Sequence, residues 1–128
     1  MGKKERRKYS RVQIFDPISY LSKDPKGKVI GYNIAVVRNV SQTGIQIETF
    51  QAISSDNISL MFFDLSNKEI QVKGEVIYCT KNDYGQYNIG INLVGTAFEN
   101  LQFIKALVKS YHYQKEKLRL GIAPGIPN

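Results

Sequence analysis

Basic residues are concentrated in residues 1–11, MGKKERRKYSR, which contain six of them beside a single acid. An arginine guanidinium can bond two phosphate oxygens at once, pair with O6 and N7 of guanine and stack on a purine face, whereas lysine does only the first of these well. Arg7 and Arg11, four positions apart with Arg6 beside them, are therefore the leading candidates for binding an anionic ligand. We expect the arm to be mobile on its own, and most basic arms are only solvated tails.

A second short pattern, N-x-S-x-x-G, lies between two predicted strands at residues 39–44. Asn39 can present both a donor and an acceptor to a base edge, and Ser41 can donate its hydroxyl to a phosphate or a base. We expect Gly44 to permit a positive φ at the turn into the next strand and a close approach of the ligand to the main chain. Taken alone, the three residues are better explained as an ordinary turn.

The remaining reactive side chains indicate no catalytic or metal site. His112, the single histidine, lies near the end of a predicted helix beside lysines, so we expect it at the surface or in helix-end packing. Cys79, near the end of a strand, is predicted to be a small buried apolar residue rather than a nucleophile. The carboxylates are scattered without a paired arrangement. We therefore expect no enzymatic activity, no cofactor and no metal.

Length and composition predict one domain with one core, since 42% of the 128 residues are hydrophobic. Eighteen Lys and Arg against eleven Asp and Glu give a formal charge of +7, which favours an anionic partner such as a phosphate, an acidic protein or a lipid headgroup. A single cysteine excludes an intramolecular disulfide and fits a reducing, cytoplasmic setting. No apolar run predicts a membrane span or a secretory signal.

Short runs of β-branched and aromatic residues between turn-forming clusters are typical of an all-β domain. Apolar and polar residues alternate most clearly around Ile45 and Ile47, from Ile70 to Tyr78, and in residues 87–93. The apolar residues of these segments, Tyr78 included, are predicted to face the core. The last two segments are predicted to form a hairpin through a turn at residues 81–86. About six strands are predicted in total, at residues 12–21, 29–40, around 45–47, 58–65, 70–78 and 87–93.

After Gly95 the apolar period changes to steps of three and four, which indicates a helix that packs across the barrel. Cations near its far end suit the helix dipole, and Gly121 with Pro124 should end it. The predicted organisation is a flexible basic ligand-binding arm at 1–11, a β-barrel with a C-terminal helix at 12–119, and a disordered tail at 120–128. The predicted apolar face comprises Phe98, Leu101, Ile104, Leu107, Val108 and Tyr111.

Together the two short patterns resemble the signature of the PilZ family, in which R-x-x-x-R precedes the first strand and [D/N]-x-S-x-x-G follows the second. Residues 74–76 (GEV) and 87–91 (YNIGI) look like the G-x-V and I-G-[IV] strands of the same family. The resemblance covers residue 6 to about residue 111. It implies a six-stranded antiparallel β-barrel with a C-terminal α-helix packed on it, acting as a non-enzymatic receptor for cyclic dimeric GMP (c-di-GMP).

The resemblance also implies the ligand-binding residues, namely Arg6, Arg7, Arg11, Asn39, Ser41 and Gly44. Asn39 stands where the family often has aspartate, so a neutral contact to guanine N–H groups replaces a stronger charged one. Binding would order the arm, change the surface offered to a protein effector, and control motility, attachment or exopolysaccharide output. The sequence does not choose among these outputs.

Two other functions stay open. A basic β-barrel could bind single-stranded nucleic acid through its charge and through Tyr9, Tyr84 or Tyr87. This is disfavoured because the basic residues concentrate at the two chain ends. Alternatively, the chain could be a PilZ-like protein-interaction module that needs no ligand, against which the intact signature argues.

Overall fold

Six antiparallel strands close into a barrel and one helix follows them. The computed structural model describes residues 12–121. Around the barrel the strands run in the order β1-β2-β3-β6-β5-β4. The fold class, the number of strands and the C-terminal helix predicted from the sequence are confirmed. The elements are β1 (Val12–Lys23), β2 (Val29–Val40), β3 (Gly44–Thr49), β4 (Asn57–Phe63), β5 (Glu69–Lys81), β6 (Tyr87–Leu93) and α1 (Ala97–Arg119).

Three of the turns between strands share one construction. A side-chain oxygen of Asp24, Asp64 or Asn82 accepts hydrogen bonds from the backbone N–H groups two and four residues later. Such side chains stabilise chain reversals, and the position three residues after each of them takes a left-handed conformation. These positions are Gly27 (φ 86°), Asn67 (φ 63°) and Gly85 (φ 81°).

The core lies inside the barrel and extends to one face of α1. Inward residues such as Ile47, Leu60 and Ile89 are fully buried, as are Phe103 and Leu107 of the helix. The ring of Phe103 meets that of Phe62 edge to face, with 5.2 Å between the ring centroids. Burying each such side chain contributes about 1.5–3 kcal/mol, so the helix is a structural part of the domain.

Both ends of α1 are defined by hydrogen bonds. Thr96 and Glu99 form a reciprocal capping box at the start, each side chain accepting from the backbone N–H of the other residue. At the other end, Leu120 donates its N–H to the carbonyl of Glu116, and Gly121 follows with φ of 81°. The predicted tail from residue 120 therefore begins with these capping residues, and residues 122–128 lie outside the described part.

The predicted apolar face of α1 is partly wrong. Phe98 was assigned to it but is 71% exposed, whereas Phe103, which was not assigned, has no exposed surface. The buried face runs through Phe103, Ile104, Leu107 and Ser110, and the helix packs mainly against β1 and β5. His112 is exposed, as predicted.

A bulge in β5 reverses the predicted alternation near the end of that strand. Pairing with β6 slips between Val76 and Tyr78, which leaves Ile77 as the extra residue. Tyr78 therefore lies on the outside of the barrel, and the prediction that it faces the core is wrong. Cys79 takes the inward position and is partly buried against the core, in keeping with the role predicted for it.

Candidate functional site

An open cleft of about 770 Å³ lies between the outer surface of the barrel and the C-terminal half of α1. Its walls come from β1, β2, β3, β6, the β5–β6 turn and the helix, so residues far apart in sequence meet there. Tyr84, at the tip of the β5–β6 turn, is 88% exposed beside it. Most of the side chains that line the cleft are polar, among them Gln13, Arg38, Asn39, Gln46, Glu48 and Lys115.

The beginning of the described chain lies at this cleft. Gln13 pairs with Asn39 across β1 and β2, and both residues line the cleft. Val12, the first described residue, pairs with Val40, next to Asn39. Arg6, Arg7 and Arg11, predicted as ligands, lie outside the described residues, but their point of attachment is at the rim of the cleft.

A slip in strand pairing turns two successive residues of β2 toward the cleft. Pairing with β3 runs from Val37–Ile47 to Asn39–Gln46, so Arg38 is an extra residue on β2. In a regular strand, neighbouring residues face opposite sides of the sheet. Because of the bulge, Arg38 and Asn39 both line the cleft. No sequence pattern selected Arg38.

Arg38 is held in place from two sides. Its guanidinium donates to Glu48 Oε1 at 2.8 Å and lies over the ring of Phe15, 5.3 Å from the centroid. Glu48 Oε2 in turn accepts from Asn82 Nδ2 at 3.0 Å. The Arg38 side chain remains 45% exposed, so it is positioned in advance while still accessible to an anion.

A chain of hydrogen bonds fixes the orientation of Asn39. Its Nδ2 donates to Gln46 Oε1 at 2.6 Å, and Gln46 Nε2 donates to the hydroxyl of Tyr78 at 3.1 Å. The ring of Tyr78 covers Gly90, where a Cβ atom would overlap the ring. Gln46, Tyr78 and Gly90 support the site, and no sequence pattern marked them for this role.

Ser41 and Gly44 form the turn that follows Asn39 rather than the wall of the cleft. Ser41 N–H donates to the Gly44 carbonyl at 2.9 Å, and Gly44 N–H donates to Ser41 Oγ at 3.2 Å. Gly44 does not take a positive φ, so that expectation is wrong. A Cβ atom at this position would lie 3.0 Å from the carbonyl oxygen of Ile91, so a larger residue would require a small shift of the neighbouring β6 backbone.

Asp16 lies where β1 meets the helix, in a cavity that it lines together with Ser110 and Gln114. The residue is 8% exposed, and burial raises the pKa of its carboxyl to about 6. Gln114 Oε1 is buried without a hydrogen-bond partner among the described residues. Two acceptor groups thus face this junction.

The family model that matches the chain is that of the PilZ domain, over residues 5–110. The chain belongs to the PilZ family. This PilZ chain is similar to the PilZ domain with c-di-GMP of YcgR from Escherichia coli, at 10% identity and a TM-score of 0.60, over 90% of this chain and 98% of that one. It is similar to the inhibitor of motility MotI/DgrA of Bacillus subtilis, at 14% identity and a TM-score of 0.55, over 88% of this chain and 53% of that one. It is also similar to MrkH in the K. pneumonia MrkH–c-di-GMP complex, at 15% identity and a TM-score of 0.56, over 88% of this chain and 54% of that one.

The chain therefore spans about half of the length of MotI/DgrA and MrkH. A search of curated protein sequences gives no match. No helix within residues 12–121 is long and apolar enough to cross a membrane. In the same part of the chain, no group of three or more His, Cys, Asp and Glu side chains could hold a metal ion.

Proposed function

We propose that this PilZ protein is a receptor for c-di-GMP, which binds in the cleft between the basic arm and the barrel. The observation that carries the proposal is the position of Asn39, the first residue of the barrel-side motif. It lines a polar cleft at the point where the arm-bearing end of β1 pairs with β2. Solved structures of two similar PilZ proteins, E. coli YcgR and K. pneumonia MrkH, are complexes with c-di-GMP.

The residues of the cleft match the chemistry of this ligand. c-di-GMP carries two phosphates and two guanines, and arginine can bind both kinds of group. Arg7 and Arg11 would reach over the ligand from the arm, with Arg6 beside them, while Arg38 and Lys115 supply positive charge from the barrel and the helix.

Asn39 would read a guanine edge. Because its Nδ2 already donates to Gln46, its Oδ1 is the atom oriented to accept a guanine N–H. Ser41 and Gly44 would act indirectly, because they shape the turn that follows Asn39 and so help to position it. The β5–β6 turn adds Tyr84, whose exposed ring can stack on a base.

The protein would signal as an adaptor without catalytic activity, in the cytoplasm. Ligand binding orders the arm against the barrel and so changes the surface that meets a protein effector of motility, attachment or exopolysaccharide control. The free energy for this change comes from the preference of the ligand for the ordered state.

Calorimetric titration with c-di-GMP tests the proposal, with linear dinucleotide, GTP and a single-stranded oligonucleotide as competitors. We expect saturable binding of c-di-GMP alone, weakened about 10- to 150-fold by Arg7→Ala or Arg11→Ala, because each removes a charge-assisted contact worth about 1.5–3 kcal/mol. Unchanged melting temperatures would show that the variants remain folded. Wild-type affinity in both variants would reject the arm assignment, and stronger binding of the oligonucleotide would reject the ligand.

A further inference from the structure

One stretch of β2 has an open edge. β1 pairs with β2 along its whole length, from Val29 to Val40, but β3 pairs with it only from Val36 onward. Among the described residues, no backbone hydrogen bond outside the β1–β2 pairing involves residues 29–35. The other side of the same hairpin is covered, because β4 pairs with β1 from Ser19 to Lys23. Residues 29–35 therefore present unpaired backbone groups along one side.

The outer face of this stretch is apolar and exposed. Ile30 is 60% exposed, Tyr32 58% and Ile34 66%, and they occupy alternate positions on the same side of the sheet. No charged residue occurs between Lys28 and Arg38. Soluble proteins usually protect such edges with charges, proline or a covering loop. An uncharged apolar open edge is suited to pairing with another strand.

We propose that this edge is the interface of a homodimer, in which two copies of β2 pair antiparallel across a two-fold axis. The outward residues read Ile-x-Tyr-x-Ile in both directions, so an antiparallel copy places apolar residues beside apolar residues. With the axis at Tyr32, Ile30 lies opposite the partner's Ile34 on both sides, and the two copies of Tyr32 are neighbours at the axis. Aromatic and β-branched residues are favourable cross-strand neighbours, and the same surface serves both subunits, as a two-fold interface requires.

The lack of charge on this stretch makes it the part of β2 where a second copy meets the least repulsion. Each chain carries a formal charge of +7, so two copies repel each other except where their contact surfaces are uncharged. The nine residues from Val29 to Val37 are the uncharged part of β2. The contact is small compared with the roughly 800 Å² per partner of a stable interface, so the dimer is weak and depends on concentration.

The proposed interface is independent of the ligand site. The cleft uses Arg38 and Asn39 at one end of β2, whereas the open edge lies at the other end. Dimerisation therefore leaves the cleft accessible, and the dimer would present two ligand sites to an effector.

Sedimentation velocity from about 5 μM to 1 mM, a range that covers weak interfaces, tests the dimer. We expect a monomer–dimer equilibrium in the wild type and a monomer throughout in Ile30→Lys and Ile34→Lys. Phe98→Lys, which places the same charge at an equally exposed apolar residue of α1, should dimerise like the wild type. Circular dichroism melts identify any variant that fails to fold, and c-di-GMP titration of Ile34→Lys should match the wild type.

Amide hydrogen exchange supplies the second readout. In the wild type, exchange in residues 29–35 should slow as the protein concentration rises, and this should not occur in Ile34→Lys. A wild type that stays monomeric at 1 mM, or a dimer unaffected by both lysine variants, would overturn the proposal. If the wild type stays monomeric, the open edge would instead be available to pair with a strand of a different protein.

Discussion

Arg38 is the residue that the structure adds to the expected ligand-binding set. Glu48 and the Phe15 ring hold its guanidinium at the cleft. We expect Arg38→Met to weaken c-di-GMP binding by about 10- to 100-fold, since hydrogen bonds to charged groups contribute about 1.5–3 kcal/mol. Arg119→Met is the matched control, because it removes the same charge from a surface arginine that is paired with Glu116 outside the cleft. Calorimetry of both variants decides the question, and an equal loss in both would point to net charge rather than to a specific contact.

Gly90 is the second residue whose importance becomes visible only in the folded chain. A side chain here would displace the Tyr78 ring, which holds Gln46 and through it Asn39. We expect Gly90→Ala to lower the free energy of unfolding by about 1–3 kcal/mol and to weaken ligand binding. Gly31→Ala is the control, as its nearest neighbour would be 3.7 Å away. Equal effects of the two substitutions in denaturant titrations would contradict this explanation.

At the scale of the elements, local pattern predicted most of the fold. Alternating residues located the strands, and turn residues located the β5–β6 hairpin, because these signals depend on near neighbours in sequence. The bulges at Arg38 and Ile77 depend on how two strands pair with each other. The alternation of residues within a single strand contains no information on this pairing. For that reason Tyr78 was placed inside the barrel, and the selection of Phe98 over Phe103 failed in a similar way.

The candidate site was predictable to the extent that it follows the PilZ signature. That signature led to Asn39, which lies in the cleft, and to Ser41 and Gly44, which shape the adjoining turn. Arg38, Gln46 and Lys115 belong to three different elements. They come together only when the barrel closes and α1 packs on it, so no spacing in the sequence connects them.

The junction of β1 and α1 predicts a dependence of stability on pH. Burial raises the pKa of Asp16 from an ordinary value of 3.8 to about 6, so between these values the folded chain binds more protons than the unfolded chain. The contribution of this group to stability is fully present below about pH 4 and is lost as the pH rises through about 6.

Asp16→Asn should remove this dependence. We expect the free energy of unfolding of the variant to exceed that of the wild type by up to about 3 kcal/mol at pH 8, and to differ little at pH 4. Denaturant titrations at the two pH values measure the difference. Asp83→Asn, on the exposed β5–β6 turn, is the control. A difference for Asp16→Asn that does not change with pH would contradict the assignment.

In the whole molecule, β2 connects two surfaces of different character. Its C-terminal end carries Arg38 and Asn39 in the polar cleft, and its N-terminal end carries the open apolar edge. The closed barrel holds the two ends in a fixed relation. The described chain begins at Val12 opposite Val40, at the cleft end of β2.

Chemical-shift mapping of the isotope-labelled protein shows whether c-di-GMP binds in this cleft. We predict that titration with c-di-GMP shifts the amide resonances of Gln13, Arg38, Asn39 and Tyr84 and leaves those of Ser66 and Asn67, in the β4–β5 turn, unchanged. GTP at the same concentrations should shift neither group. Shifts confined to other surfaces, or none up to saturating ligand, would contradict the account.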